Sequence, residues 1–166
     1  MKRRAPLPFN FASYESGLMN EPTITNTDAP PPVPLSLDRL GDLPARIGAA
    51  LGDLFAGTFD GIAKDSTYAS VSAGVTQARD LQADLLIAVG GGSVIVATRA
   101  ISIFLSEQGD PFDLMTQYPE GGRPVSPRLM APKVPIVNIP TTPTSAMNRA
   151  GTGLKNPDLD HRMEYF

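Results

Sequence analysis

Cysteine is absent from this 166-residue chain, and histidine occurs once, as His161. Without cysteine there is neither a disulfide framework nor a thiolate metal site. A single histidine excludes a multi-histidine metal site within the chain itself, so the chain alone is not a typical zinc hydrolase. A strong charge of either sign is missing too: 14 Lys and Arg stand against 17 Asp and Glu, a net charge of −3. A nucleic-acid binder needs a basic stripe to displace counterions from phosphates, so nucleic acid is not an expected partner. The longest apolar runs, residues 85–89 and 94–97, fall far short of the ~20 residues of a membrane helix. Met1-Lys2-Arg3-Arg4 is basic, but Ala5-Pro6-Leu7-Pro8 follows in place of a signal-peptide apolar core. No membrane partner is expected, and a soluble, cytoplasmic location is.

What is present suits one domain, for which about 150 residues is the usual length. With 42% hydrophobic residues the chain can bury a core. Its 17 prolines cluster. Residues 1–36 hold Pro6, Pro8, Pro22, Pro30, Pro31, Pro32 and Pro34 with little apolar periodicity, and read as an extended arm or linker. A ligand for a proline-recognition domain is the less favoured reading, because no basic residues flank the tract.

From residue 37 the pattern tightens. Leu43, Ile47, Ala50, Leu51 and Leu54 fall on one helical face. Residues 55–59 have the character of a short strand. Asp65-Ser66-Thr67 offers N-caps for a second helix that buries Val71, Val75, Ala78 and either Leu81 or Gln82. Residues 83–89 are nearly continuously apolar, as suits a parallel strand covered on both faces. A third helix opens after Gly90-Gly91-Gly92-Ser93, with Val94, Thr98, Ile101 and Leu105 inward and Ile95 and Ser102 beside them. Residues 107–132 read as a long loop, a lid or binding segment. Residues 135–139 are a further strand, and residues 148–166 an irregular tail. Alternating helices and strands imply an α/β fold with a parallel sheet, and right-handed crossovers put the turns after Val89 and Ile139 on one edge. Ligands of open α/β sheets bind at that edge.

The triple glycine carries the most chemistry. With no Cβ in the way, a phosphate can approach the backbone closely. The helix behind it offers unpaired N–H groups and the positive end of its dipole, and Ser93 adds a hydroxyl donor. The turn equally serves close packing of strand against helix, and the residues alone leave the two readings level. No Gly-Lys-Ser/Thr follows, so it is not a Walker loop, and it lacks the spaced G-x-G-x-x-G pattern.

The segment Ala83-Asp84-Leu85-Leu86-Ile87-Ala88-Val89-Gly90-Gly91-Gly92-Ser93-Val94-Ile95, followed downstream by Val134-Pro135-Ile136-Val137-Asn138-Ile139-Pro140-Thr141-Thr142, resembles the iron-containing (group III) alcohol dehydrogenase family. Gly52-Asp53-Leu54-Phe55-Ala56-Gly57-Thr58-Phe59-Asp60-Gly61-Ile62 is most similar to its maleylacetate reductase branch. The resemblance covers roughly residues 43–142. It implies an N-terminal dinucleotide-binding α/β domain and a C-terminal helical domain holding a divalent metal, Fe or Zn. The expected fold here is therefore a parallel-sheet, Rossmann-like dinucleotide-binding domain over residues 37–147, truncated, behind the proline-rich arm. The resemblance places the pyrophosphate of NAD or NADP at Gly91, Gly92 and Ser93, and the cofactor along Thr141 and Thr142. Those two threonines also suit a turn closed by its own side chains.

The chain departs from the family pattern at several positions. Val96 stands where the family usually has Asp, Arg99 where Lys is common, and Pro143-Thr144-Ser145-Ala146-Met147-Asn148 replaces a Gly-rich run. Thr144, in place of glycine, is expected to crowd the cofactor. The family's first strand, which ends near an acidic residue that reads the adenosine ribose, is not evident before Leu43. The family's metal ligands, one Asp and three His, are expected beyond Phe166, and His161 matches none of them; it reads as a solvated tail residue. No catalytic or metal-binding residue is assigned within the chain. The leading expectation is the cofactor-binding portion of a metal-dependent NAD(P) alcohol dehydrogenase or maleylacetate reductase-like oxidoreductase, inactive as an isolated chain. Its expected partners are a nicotinamide dinucleotide and either a homo-oligomer or a complementary metal-domain chain. The alternative is a non-catalytic association module that keeps the dehydrogenase fold. A sugar phosphate on the same glycine turn is a third, weaker option.

Overall fold

The structure is a computed structural model that describes residues 42–166. The proline-rich tract lies outside these residues, and so does the place of the family's first strand. Pro44 at the start and Gly52 at the end bound α1 (Leu43–Leu51), as the preference for Pro in the first turn and Gly just past the last dictates. A single 3-10 turn, Gly52–Leu54, follows. No strand forms over residues 55–59, contrary to the sequence expectation. The aromatic side chains there serve helices instead: Phe55 lies over Gly48 of α1, and Phe59 over Gly74 of the second helix.

That helix, α2 (Tyr68–Asp80), is capped by Thr67, whose Oγ1 accepts from the Ser70 N–H at 3.3 Å. Val71, Gly74 and Val75 are buried. Leu81 is not, and Gln82 lies past the helix end at φ +52°. Strand β1 (Leu86–Gly90) runs parallel to β2 (Ile136–Pro140), in a register that sets Ala88 beside Asn138 and Gly90 beside Pro140. Only Ala88 of β1 is buried, so the expected coverage of both faces is not met along the strand.

Helix α3 (Gly92–Ser106) is the centre of the structure. One side packs on the strand pair, where Ala88, Ile95 and Ala146 form a small buried cluster. Its other sides meet α2 and a C-terminal hairpin in a larger core built on Val71, Ala97, Ala100, Ile101, Phe104, Leu154, Met163 and Tyr165. That double duty explains why eight residues from Ile95 to Phe104 are buried rather than a single stripe. Two serines of α3 also hold the chain entering β2. Ser102 Oγ donates to the Val134 carbonyl at 2.7 Å, and Ser106 Oγ accepts from the Val134 N–H at 3.2 Å.

The stretch after α3 is less bare than expected. It contains α4 (Pro111–Leu114), capped by Asp110, and an isolated bridge between Gln117 and Val125. The largest correction concerns the C-terminal residues, which are not an irregular tail. Strands β3 (Thr152–Leu154) and β4 (Met163–Tyr165) pair antiparallel. Leu154, Met163 and Tyr165 are among the most buried side chains described. Residues 148–166 therefore share a core with α2 and α3. Among the described residues, no helix is long and apolar enough to cross a membrane.

Candidate functional site

Parallel pairing of β1 and β2 brings both strand-end turns together, as the crossover argument requires. The Thr141 N–H donates to the Gly90 carbonyl at 3.0 Å, which ties the Pro-Thr-Thr turn to the glycine turn. Gly90 must be glycine: a Cβ there would lie 2.6 Å from Val94 Cγ2, on the first turn of α3. Gly91 is the N-cap of α3 and its carbonyl accepts from the N–H groups of Val94 and Ile95. No side chain caps this helix start.

The two threonine turns press on the glycines from one side. A Cβ on Gly91 would come within 3.2 Å of Thr142 Oγ1, and one on Gly92 within 2.9 Å of Thr144 Oγ1. Thr144 also caps the 3-10 turn Ser145–Asn148, its Oγ1 accepting from the Ala146 N–H at 3.1 Å. The glycine turn thus has a packing reason for its missing side chains. It also opens on a cleft of about 590 Å³ that Gly92 and Ser93 line together with Asp65, Val96, Arg149 and Arg162. Gly91, Thr141 and Thr142 are not among the cleft-lining residues. The five sequence-selected positions therefore share one neighbourhood, but only Gly92 and Ser93 face this cleft.

Three arginines stand around the cleft, and none has a carboxylate partner among the described residues. Arg99 is anchored: its guanidinium donates to the Gly151 carbonyl at 2.8 Å and the Ala146 carbonyl at 2.6 Å. Burial lowers its pKa, yet guanidinium stays charged in proteins. Arg149 is exposed. Arg162 reaches the carbonyls of Asp65 and Gly153 with long bonds of 3.4 and 3.3 Å. Lys155 does not line the cleft and serves through its backbone, bridging to Thr67.

On the far strand of the hairpin, Glu164 accepts from the Tyr118 hydroxyl at 2.8 Å, which raises the tyrosine pKa. His161 is not a solvated tail residue. Its ring packs edge-on to Tyr118 at 4.7 Å, and its Nδ1 lies 2.6 Å from Asp160 Oδ1. That bond holds the Asp160 carboxyl below the usual range. Among the described residues, no three His, Cys, Asp or Glu side chains converge to hold a metal ion.

The sequence reading missed two contributors. Asp65 and Ser66 occupy the left-handed region at φ +67° and +53° and reach the cleft beside Ser93. The hairpin supplies the opposite wall. Neither carries a motif; the Asp-Ser-Thr signal was legible only as a helix cap.

A parallel strand pair whose carboxyl-end turns meet an uncapped helix start beside a polar cleft places the chain in the mixed α/β class with a parallel sheet. The chain belongs to the iron-containing alcohol dehydrogenase family, whose model matches residues 41–166. It is 47% identical over 62 residues to maleylacetate reductase 2 of Cupriavidus pinatubonensis, covering 37% of this chain and 17% of that protein. An alcohol dehydrogenase of Thermococcus barophilus is 28% identical over 110 residues, covering 64% of this chain and 28% of the relative. The crystal structure of YqhD from E. coli superposes with a TM-score of 0.61 at 21% identity, covering 76% of this chain and 31% of that one. The chain thus spans less than a third of the length of these relatives.

Proposed function

We propose that this chain is the nicotinamide-dinucleotide-binding portion of an oxidoreductase of this family, with a Rossmann-like role for the β1–α3–β2 unit. The observation that carries the reading is the bare glycine turn at an uncapped, 15-residue helix start, open to a cleft with arginines on its other walls. A diphosphate fits there on three counts. The first-turn N–H groups need an acceptor, the dipole favours an anion, and Gly92 and Ser93 border the cleft from which it would approach. Ser93 adds a donor hydroxyl, and Arg149 and Arg162 supply unpaired positive charge. When bound, NAD or NADP supplies the hydride chemistry; this chain's residues bind and orient it. The described residues do not fit a divalent metal: no three His, Cys, Asp or Glu side chains converge among them. A metal, substrate polarisation and turnover would belong to a helical domain outside the described structure, so the isolated chain is expected to be inactive.

Titration of the chain with NADH and NADPH, followed by their fluorescence, tests this. Saturable binding is expected, and Gly92→Val should weaken it at least ~10-fold, because the branched side chain meets Thr144 Oγ1 and forces the glycine turn and the helix start to shift. No saturation at millimolar cofactor, together with a stable oligomer, would transfer support to the association-module reading.

A further inference from the structure

Ser93 is held by a turn that no motif marks. Residues Asp65 and Ser66 are consecutive non-glycine residues at positive φ, and such strain persists only where surrounding contacts over-determine it. Here two elements do so. From α3, Ser93 Oγ accepts the Asp65 N–H at 3.3 Å, and the Ser93 carbonyl accepts the Ser66 hydroxyl at 2.7 Å. From the hairpin, the Lys155 N–H donates to the Ser66 carbonyl at 3.2 Å, and Arg162 reaches the Asp65 carbonyl. Ser66 is 2% exposed, so its hydroxyl has no water to fall back on if this bond is lost.

The consequence lies in the direction of one proton. A serine hydroxyl has one donor and two acceptor sites. With the Asp65 N–H pointed at its oxygen, the Ser93 hydroxyl accepts on the turn side, which leaves its own proton free to be donated into the cleft that Ser93 lines. An anion needs donors. We propose that Ser66, through the strained 65–66 turn, is a positioning residue that fixes Ser93 as a hydrogen-bond donor to the diphosphate of a dinucleotide. The proposal rests on the cofactor reading above. It adds that the anion's donor set is assembled by the segment before α2 as well as by the glycine turn.

The test separates strain from positioning. Ser66→Gly removes the hydroxyl and also relieves the positive φ, so it should leave the thermal midpoint equal to or above that of the native chain. Affinity for NADH should nevertheless fall about 5- to 10-fold, and affinity for ADP-ribose, which keeps the diphosphate and lacks only the nicotinamide, should fall by the same factor. Asp65→Gly relieves strain but keeps the N–H donor, and should bind both ligands within about twofold of the native chain. A Ser66→Gly chain that binds both as the native chain does would overturn the positioning role and leave the cofactor reading standing. Native chain that binds neither NADH nor ADP-ribose removes both.

Discussion

Single residues show how far environment, rather than residue type, decides behaviour. Glu107 and Lys133 both look like ordinary surface charges in the sequence, yet the Lys133 ammonium sits 2.6 Å from Glu107 Oε1, where the Ala131 N–H also donates at 3.0 Å. The hydrogen bond from Lys133 holds the Glu107 carboxyl below its ordinary range. A carboxyl depressed in the folded state stabilises it above the unfolded pKa, and that contribution is lost as pH falls through the folded pKa. Glu107→Gln should therefore melt below the native chain at pH ~7, and the gap should close as pH falls through the depressed carboxyl range. Thermal scans across that range check it, and a constant gap would exclude the ionic origin. Thr144 makes the same point. It was expected to crowd a ligand, and it caps the Ser145–Asn148 turn while leaning on Gly92.

At the level of elements, Arg99 links what the sequence left separate. It occupies the position where the family commonly has lysine, and the two are not equivalent here. One planar guanidinium spans the carbonyls of Ala146 and Gly151, a bidentate reach that a single ammonium at the end of a flexible stem does not reproduce. Arg99→Lys should cost about 1–3 kcal/mol, concentrated in the segment between the 3-10 turn and β3. Amide exchange at residues 146–152 should rise more than in α2. Uniform protection would show that Arg99 is not the clamp. Helices α2 and α3 and strands β1 and β2 were legible because each carries a periodic face or a continuous apolar run bounded by caps and glycines. The hairpin was not: three-residue strands give no period to detect, and Gly151, Gly153 and Pro157 mimic a disordered composition. Its order comes from Leu154, Met163 and Tyr165 docking against α3, a long-range event with no local signature.

For the whole molecule, that docking makes the C-terminus part of the core. Leu154 has no exposed surface. Leu154→Ala should destabilise the entire unit by roughly 2–5 kcal/mol, by lost burial plus the residual cavity. The midpoint of the chain's global denaturant transition should shift accordingly; an unchanged midpoint would return residues 148–166 to the status of a tail. The alternation of elements, the parallel pairing, the glycine turn and membership of a dehydrogenase family were all determined by the sequence, because each depends on local periodicity or on contiguous motifs. Tertiary structure alone decided the rest. It put the 65–66 turn against Ser93, drew three arginines around one cleft and converted the last residues into a wall of that cleft. Those contacts join residues dozens of positions apart, and only the packing around α3 selects which distant groups meet.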